Sequence, residues 1–168
     1  MIRRLASLLA TLGLAALLGA AAAAQGTDEA VLLADRVEIA GNDRLIATGN
    51  VEVLQGTTRM TASRIVYDQS TNMLVIDGPI ALTDGPDTVI LASDAALSTD
   101  LKNGLLRSAR MVLNQQLQLA AAEINRVNGR YTQLYKTVAS TCQVCASRPV
   151  PLWQIRAKRI IHDEQAQQ

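Results

Sequence analysis

Two cysteines separated by two residues are the side chains in this sequence best suited to chemistry. The motif Cys142-x-x-Cys145 allows three interpretations. A zinc site needs four ligands, and the two cysteines together with the single histidine, His162, supply three. A thioredoxin-like redox centre needs the motif at the start of a helix, and the prolines in Arg148-Pro149-Val150-Pro151 do not permit that helix. The third interpretation is structural pairing, which is the usual role of cysteines in an exported protein.

No residues are spaced as a catalytic set. The neighbour of His162 that could act with it is Asp163, and adjacent side chains on a strand point to opposite faces. The sequence contains neither a glycine-rich phosphate loop nor a Gly-x-Ser-x-Gly elbow. We therefore predict a protein that is not an enzyme and that uses no cofactor or metal.

A signature of the form apolar-x-Ala-x-x-apolar recurs along the chain. Its five copies are Leu32-x-Ala34-x-x-Val37, Met60-x-Ala62-x-x-Ile65, Ile90-x-Ala92-x-x-Ala95, Leu119-x-Ala121-x-x-Ile124 and Ile155-x-Ala157-x-x-Ile160. The alanines stand 28, 30, 29 and 36 residues apart, a rhythm that is typical of one small structural unit stacked on copies of itself. Within the signature the apolar positions change parity, which indicates either a β-bulge or a sheet with both faces partly covered.

A second apolar stretch in each unit alternates with period two, as strands do. Leu45, Ala47, Gly49, Val51 and Val53 are predicted to share one face in the first unit, and Leu74, Ile76, Gly78, Ile80 and Leu82 in the second. Turn signals separate the strands at residues 41–43, 70–72, 84–87, 102–104 and 128–129. Each unit is thus two strands and two turns, and the predicted fold is an all-β stack.

The N-terminus has the pattern of a secretory signal. Arg3 and Arg4 precede an apolar run, and five alanines end at Ala24, where cleavage is expected. Cleavage there would remove two of the 16 basic residues and none of the 15 acidic ones, which leaves a net charge near −1. That balance gives no electrostatic support for binding nucleic acid. We predict a signal peptide at residues 1–24, followed by material for one domain of ordinary size.

Several ordered motifs resemble the N-terminal periplasmic domain of the lipopolysaccharide-assembly outer-membrane protein LptD. They are Asn128-Gly129-Arg130-Tyr131-Thr132, Ser140-Thr141-Cys142, Trp153-Gln154-Ile155 and Ile160-Ile161-His162-Asp163, together with upstream stretches from Ala34 to Val53 and from Ala62 to Ile65. The resemblance implies an OstA-like β-jellyroll, or β-taco, with open ends over residues 28–139. Residues 140–168 would then form a Cys-x-x-Cys linker and a last strand. Members of the family continue into a membrane barrel, which this sequence, ending at Gln168, does not contain.

The resemblance also implies a function, which is lipopolysaccharide transport at the periplasmic face of the outer membrane. A periplasmic bridge protein would deliver lipopolysaccharide by adding its edge strand near Leu32 to Ile39, and an outer-membrane lipoprotein would be a partner through the absent barrel. In the family, cysteines of this domain bridge to the barrel; here Cys142 and Cys145 would pair with each other or between molecules. Trp153 is expected to fill the core beside the last strand or to dock on the barrel. Candidate lipid-lining residues are Val37, Ile39, Val51, Val53, Ile65, Tyr67, Ile76, Ile80, Leu97, Met111 and Ile124.

Two other functions fit the same pattern. The chain could be a free-standing periplasmic bridge protein, which shares the fold, or a structural β-repeat domain whose sealed core binds no ligand. The same apolar side chains would serve as a closed core in the last case.

Overall fold

The computed structural model describes residues 29–142 and 151–166. The predicted signal peptide and Cys145 lie outside these residues. Ten strands are present: β1 (Val31–Leu33), β2 (Arg36–Ala40), β3 (Arg44–Gln55), β4 (Thr58–Asp68), β5 (Met73–Asp84), β6 (Thr88–Ser98), β7 (Gly104–Leu113), β8 (Leu117–Val127), β9 (Tyr131–Ser140) and β10 (Ile155–Asp163). In this part of the chain no helix has the length and apolar character needed to cross a bilayer.

The strands form one open antiparallel sheet. From β3 to β10 each strand pairs with the next, and β1 and β2 both pair with β3, so they form one interrupted edge strand. β10 forms the opposite edge. The all-β prediction is confirmed, and the predicted turns fall between consecutive strands.

The long strands change their pairing register midway, and the sheet bends there. Shifts occur between Thr48 and Val51 of β3, between Thr61 and Arg64 of β4, and between Asp77 and Ile80 of β5. Bulges of this kind re-aim the following side chains. In β4, Met60, Ala62 and Ile65 consequently all lie on the buried face despite their change of parity. The bulge interpretation of the signature is therefore correct.

Gly78 shows why a glycine stands at one of these bends. A Cβ atom built on Gly78 would lie 2.3 Å from the carbonyl oxygen of Ser93 in β6, so a side chain has no room. The hydroxyl of Ser63 donates a hydrogen bond of 2.9 Å to the carbonyl of Gly78 from the other side. β5 is a central strand, so the Gly78-Pro79 pair marks a bend and not a sheet edge.

A single contact demonstrates that the sheet folds over on itself. Arg126 lies near the end of β8 and forms an ion pair with Asp84 at the end of β5. In a flat sheet these ends would be roughly 14 Å apart across three strands and about 30 Å apart along them. The contact therefore requires both strands to bend at their midpoints, which brings the two halves of the sheet face to face.

One core lies between the two halves. Its fully buried side chains are Met60, Ile65, Ile76, Ile80, Leu82, Ile90, Leu97, Leu101, Leu106, Met111, Ile124 and Leu134. At the start of β7, Leu106 faces the core, and its neighbour Leu105 is half-buried. The outer face carries cross-strand ion pairs such as Arg64–Asp77 at 3.0 Å and Arg107–Asp94 at 2.8 Å. The folded sheet thus has an apolar inner face and a polar outer face.

Candidate functional site

The inner face is the candidate site, and most of the predicted lining residues lie on it. Eight of them are 4% exposed or less and belong to one hydrophobic cluster. These eight are Val51, Val53, Ile65, Ile76, Ile80, Leu97, Met111 and Ile124. They come from β3, β4, β5, β6, β7 and β8, so the apolar surface runs unbroken across six strands.

The other three predicted lining residues lie at the β1/β2 end of the sheet. Val37 pairs with Ala47 and Ile39 pairs with Leu45, so both share the side of the sheet on which Ala47 is buried. Val37 is 49% exposed and Ile39 is 79% exposed. Tyr67 is half-buried and packs against the edge of the core. The inner face therefore ends in apolar side chains that are open to solvent.

Where the two halves of the sheet meet, their turns form two lips. The first lip consists of the turns after β3, β5 and β7, at residues 55–58, 84–88 and 113–117. The second lip consists of the turns after β6 and β8 and the end of β10, at residues 98–104, 127–131 and 162–166. We call the line along which they face each other the seam.

Two cavities lie along the seam. One, of about 180 Å³, is lined by the first turn of the first lip and by the turn after β6. The other, of about 440 Å³, is lined by the later turns of the first lip and by His162 and Glu164 of β10's end. Asp84 lines both cavities and receives the contact from Arg126 between them. This ion pair is thus a polar contact that joins the lips beside both cavities.

Arg126 was not anticipated as a functional residue. Its side chain is 3% exposed and follows Ile124 on the inward-facing side of β8. The period-two pattern places Arg126 on that face, and a charge at an inward position was the available signal. Its partner could not be found from sequence, because Asp84 is 42 residues away and reaches it through the fold of the sheet.

The family of the chain follows from its sequence over the same strands. A family model described as LptA/(LptD N-terminal domain) LPS transport protein matches residues 31–168. The chain belongs to this family. The match spans every strand of the folded sheet, and the family is one of lipopolysaccharide transport and not of enzymes. No curated protein matches the chain.

Several of the motifs that carried the likeness to LptD lie toward the β10 end of this LPS transport domain. Trp153 is 45% exposed, so the expectation that it plugs the core is wrong. It lies just before β10, the strand at the edge of the described sheet. Its carbonyl accepts a hydrogen bond of 2.8 Å from the hydroxyl of Ser140, which ties the start of β10 to the end of β9.

Cys142 and His162 are the other side chains of this domain that the sequence analysis considered for chemistry. Cys142 is half-buried just after β9, and its N–H donates to the hydroxyl of Ser140 at 3.1 Å. Because Cys145 is outside the described residues, the pairing of Cys142 with Cys145 stays a prediction. The Nε2 atom of His162 lies 3.6 Å from Glu164. Among the residues that the structure describes, no three His, Cys, Asp or Glu side chains are grouped to hold a metal.

Asp163, beside His162, points the other way and fastens β10 to the turn after β8. Arg130 donates to it from Nη2 at 2.9 Å and from Nε at 3.2 Å. The side-chain hydrogen bond from Arg130 lowers the pKa of Asp163, and backbone N–H donors at Ala166 and Gln165 lower it further against the opposing effect of desolvation. The carboxylate is therefore favoured in the folded state.

This shift predicts an acid-sensitive contribution to stability. Because the folded pKa is depressed, the contribution is present above about pH 4, the ordinary pKa of Asp, and is lost as the pH falls through the folded value. Asp163→Asn should lower the melting temperature at pH 7, and the difference from the parent should shrink below about pH 4. Arg130→Gln should show the same pH dependence, since either change removes the pair. Melting curves of all three proteins from pH 7 to pH 3 test this; a difference that does not change with pH would contradict it.

Proposed function

We propose that this domain receives lipopolysaccharide from a periplasmic bridge protein and holds its acyl chains on the inner face, at the outer-membrane end of the transport system. The observation that carries the proposal is the unbroken apolar inner face of an open sheet. The lipopolysaccharide transport family supports the substrate. The pattern of a secretory signal at residues 1–24 supports export, after which the domain would act at the periplasmic face of the outer membrane.

The energetics explain why a carrier needs such a face. Exposing one buried methylene to water costs about 0.8 kcal/mol, so an acyl chain of a dozen carbons costs on the order of 10 kcal/mol. A lipid with several chains would not cross an aqueous compartment unless those chains were covered. Leu, Ile, Val and Met side chains on the inner face offer that cover without polar groups that would need partners.

Loading requires the two halves of the sheet to separate. The eight buried lining residues are packed against one another and leave their shared core almost inaccessible to solvent. Neighbouring strands are held by backbone hydrogen bonds throughout, so the halves would part along the seam, where side chains make the contact. The exposed apolar residues at the β1/β2 end would be the first inner-face surface that a lipid meets.

Both edges of the sheet are suited to strand addition. Among the described residues, β1 and β2 pair only with β3 and β10 pairs only with β9, so the outer side of each has no strand neighbour there. An edge strand is a template for a strand from another chain. We assign the β1/β2 edge to the bridge protein, because the inner face is exposed there, and the β10 end to the outer-membrane side, where a lipoprotein partner would assemble.

Two other candidate functions fit some of the same observations. The family description includes LptA, so a free-standing bridge protein fits the match equally well. The Thr141-Cys142, Trp153 and Ile161-His162-Asp163 motifs near β10 favour the outer-membrane domain. A structural domain that binds no ligand fits the tight packing of the core.

Binding of lipopolysaccharide by the purified chain tests the function. Intact lipopolysaccharide should bind saturably, and a deacylated derivative should bind at least about 100-fold more weakly. A roughly 100-fold loss of affinity corresponds to the burial free energy of only a few methylenes. Isothermal titration with both compounds measures the ratio. Equal affinities would mean that the sugar and not the acyl chains is recognised, and no binding of either would favour the ligand-free structural domain.

A further inference from the structure

Arg126 has hydrogen-bonding capacity that the seam does not use. Its guanidinium is buried, and of its nitrogens Nη2 donates to Asp84. Nε and Nη1 are shielded from solvent and have no hydrogen-bond partner among the residues that the structure describes. A guanidinium carries five N–H donors in a planar fork, and buried donors left without acceptors destabilise a fold. The arrangement around Arg126 is therefore short of acceptor atoms.

The smaller seam cavity lies beside Arg126 and has room for an acceptor, which would reach Nε and Nη1 once the guanidinium turns away from Asp84. Its volume of about 180 Å³ is several times the roughly 30 Å³ that one water occupies in the liquid. Arg126 and Lys102 line it together with the carboxylates of Asp84 and Asp100. The four charges balance, so the electrostatics of the cavity depend on which of these groups are already engaged.

Both carboxylates in the cavity are engaged. Asp100 accepts hydrogen bonds from the hydroxyl of Ser98 and from the backbone N–H of Lys102. Asp84 accepts from Arg126 and, at 3.1 Å, from the hydroxyl of Thr58. The unfilled positions on Arg126 are thus donors, which match an oxyanion, and the side-chain amide of Gln55 in the same cavity carries both donors and an acceptor. Arg forms bidentate pairs with phosphate and carboxylate groups for this reason.

We propose that Arg126 and Lys102 form an anion site in the seam, which takes the phosphate head of an amphiphile whose acyl chains lie along the inner face. The proposal rests on the function proposed above and adds the headgroup to it. Arg126 follows Ile124 on the same inward side of β8, so head and tails would meet their matching surfaces side by side. Asp84 competes for the same guanidinium, and binding of the phosphate weakens the contact that joins the lips.

Three probes and two variants of the full chain test the site by isothermal titration. Dodecyl phosphate and dodecyl maltoside have the same tail with an anionic and a neutral head, and inorganic phosphate has no tail. The parent should bind dodecyl phosphate at least about tenfold more tightly than dodecyl maltoside. Arg126→Gln should reduce that ratio to about one, and the ratio is the quantity compared because the substitution also removes the contact that joins the lips. Arg107→Gln removes an exposed Arg–Asp pair on the outer face and should leave the ratio unchanged.

Each outcome decides between sources of the anion or overturns the site. Equal affinity for inorganic and dodecyl phosphate would support the anion site and assign it to free phosphate. Equal affinity of the parent for the two alkyl probes would overturn the anion site, and the donors of Arg126 would then be assigned to waters in the cavity. The proposed function would stand. Binding of neither alkyl probe would contradict the function itself.

A measurement on the parent covers the case in which Arg126→Gln does not fold. The Nε–H signal of Arg126 in ¹⁵N-arginine spectra should shift on addition of dodecyl phosphate, and by more than it does on addition of dodecyl maltoside. An unchanged Nε–H signal at saturating dodecyl phosphate would overturn the site.

Discussion

Replacing Val37 by proline is expected to abolish docking of the bridge protein while the domain remains folded. Proline removes one backbone N–H and fixes φ near −65°, and Val37 lies in β2 at the edge of the sheet. Docking by strand addition depends on the N–H and C=O groups that the edge directs outward. The loss should be at least about tenfold in apparent affinity, measured by pull-down with the bridge protein beside a thermal melt.

The alternation of hydrogen bonds along β3 explains the choice of Val37. Gln69, just after β4 ends, donates its backbone N–H to the carbonyl of Asp43, just before β3 begins. Alternate residues of β3 from Asp43 onward are then expected to bond toward β4, which leaves Arg44, Ile46 and Thr48 to bond toward β2. Their partners in β2 include Glu38, so the N–H of Val37 is expected to face away from the sheet.

Glu38→Pro is the matched control for this prediction. It should remove a hydrogen bond within the sheet and lower the melting temperature more than Val37→Pro does. Equal loss of docking and of stability in Val37→Pro would count against strand addition at this edge. Full docking by a folded Val37→Pro protein would do so directly.

Period-two patterning was the most reliable guide to the fold. The predicted faces of β3 and β5 are the buried faces, as the burial of Val51 and Val53 and of Ile76 and Ile80 confirms. Strands of this kind reveal their inward side because alternate residues must be apolar. The five predicted turns are present, since Gly, Asn and Asp occupy conformations that other residues adopt at a cost. The turns at residues 55–58 and 113–117 were not predicted.

The copies of the repeated signature differ in burial according to their place in the sheet. The second, third and fourth copies place their apolar residues and alanines in the core. The first copy supplies β1 and β2, where Val37 is exposed, and the fifth supplies β10, where Ile155 is exposed. Terminal units of a stacked array have a neighbour on one side only, so sequence similarity among the copies could not predict their different exposure.

The seam could not be predicted from the sequence. Its partners, Arg126 and Asp84, stand on different strands, and their meeting depends on how far the strands between and including β5 and β8 bend. A local pattern predicts the presence of a bulge through a change of parity, as at Ala62 and Ile65. It does not predict which turns then face each other, because the offset between the lips is set by the twist of the whole sheet.

Photocrosslinking at Met111 tests most directly whether the inner face carries lipid. A photoreactive amino acid placed at Met111, which is buried on the inner face of β7, should crosslink to added lipopolysaccharide. The same group at Val75, an exposed outer-face position of β5, should give a yield at least about tenfold lower. Melting curves should show both proteins folded. Equal yields at the two positions, or crosslinks at Val75 alone, would contradict a lipid-carrying inner face.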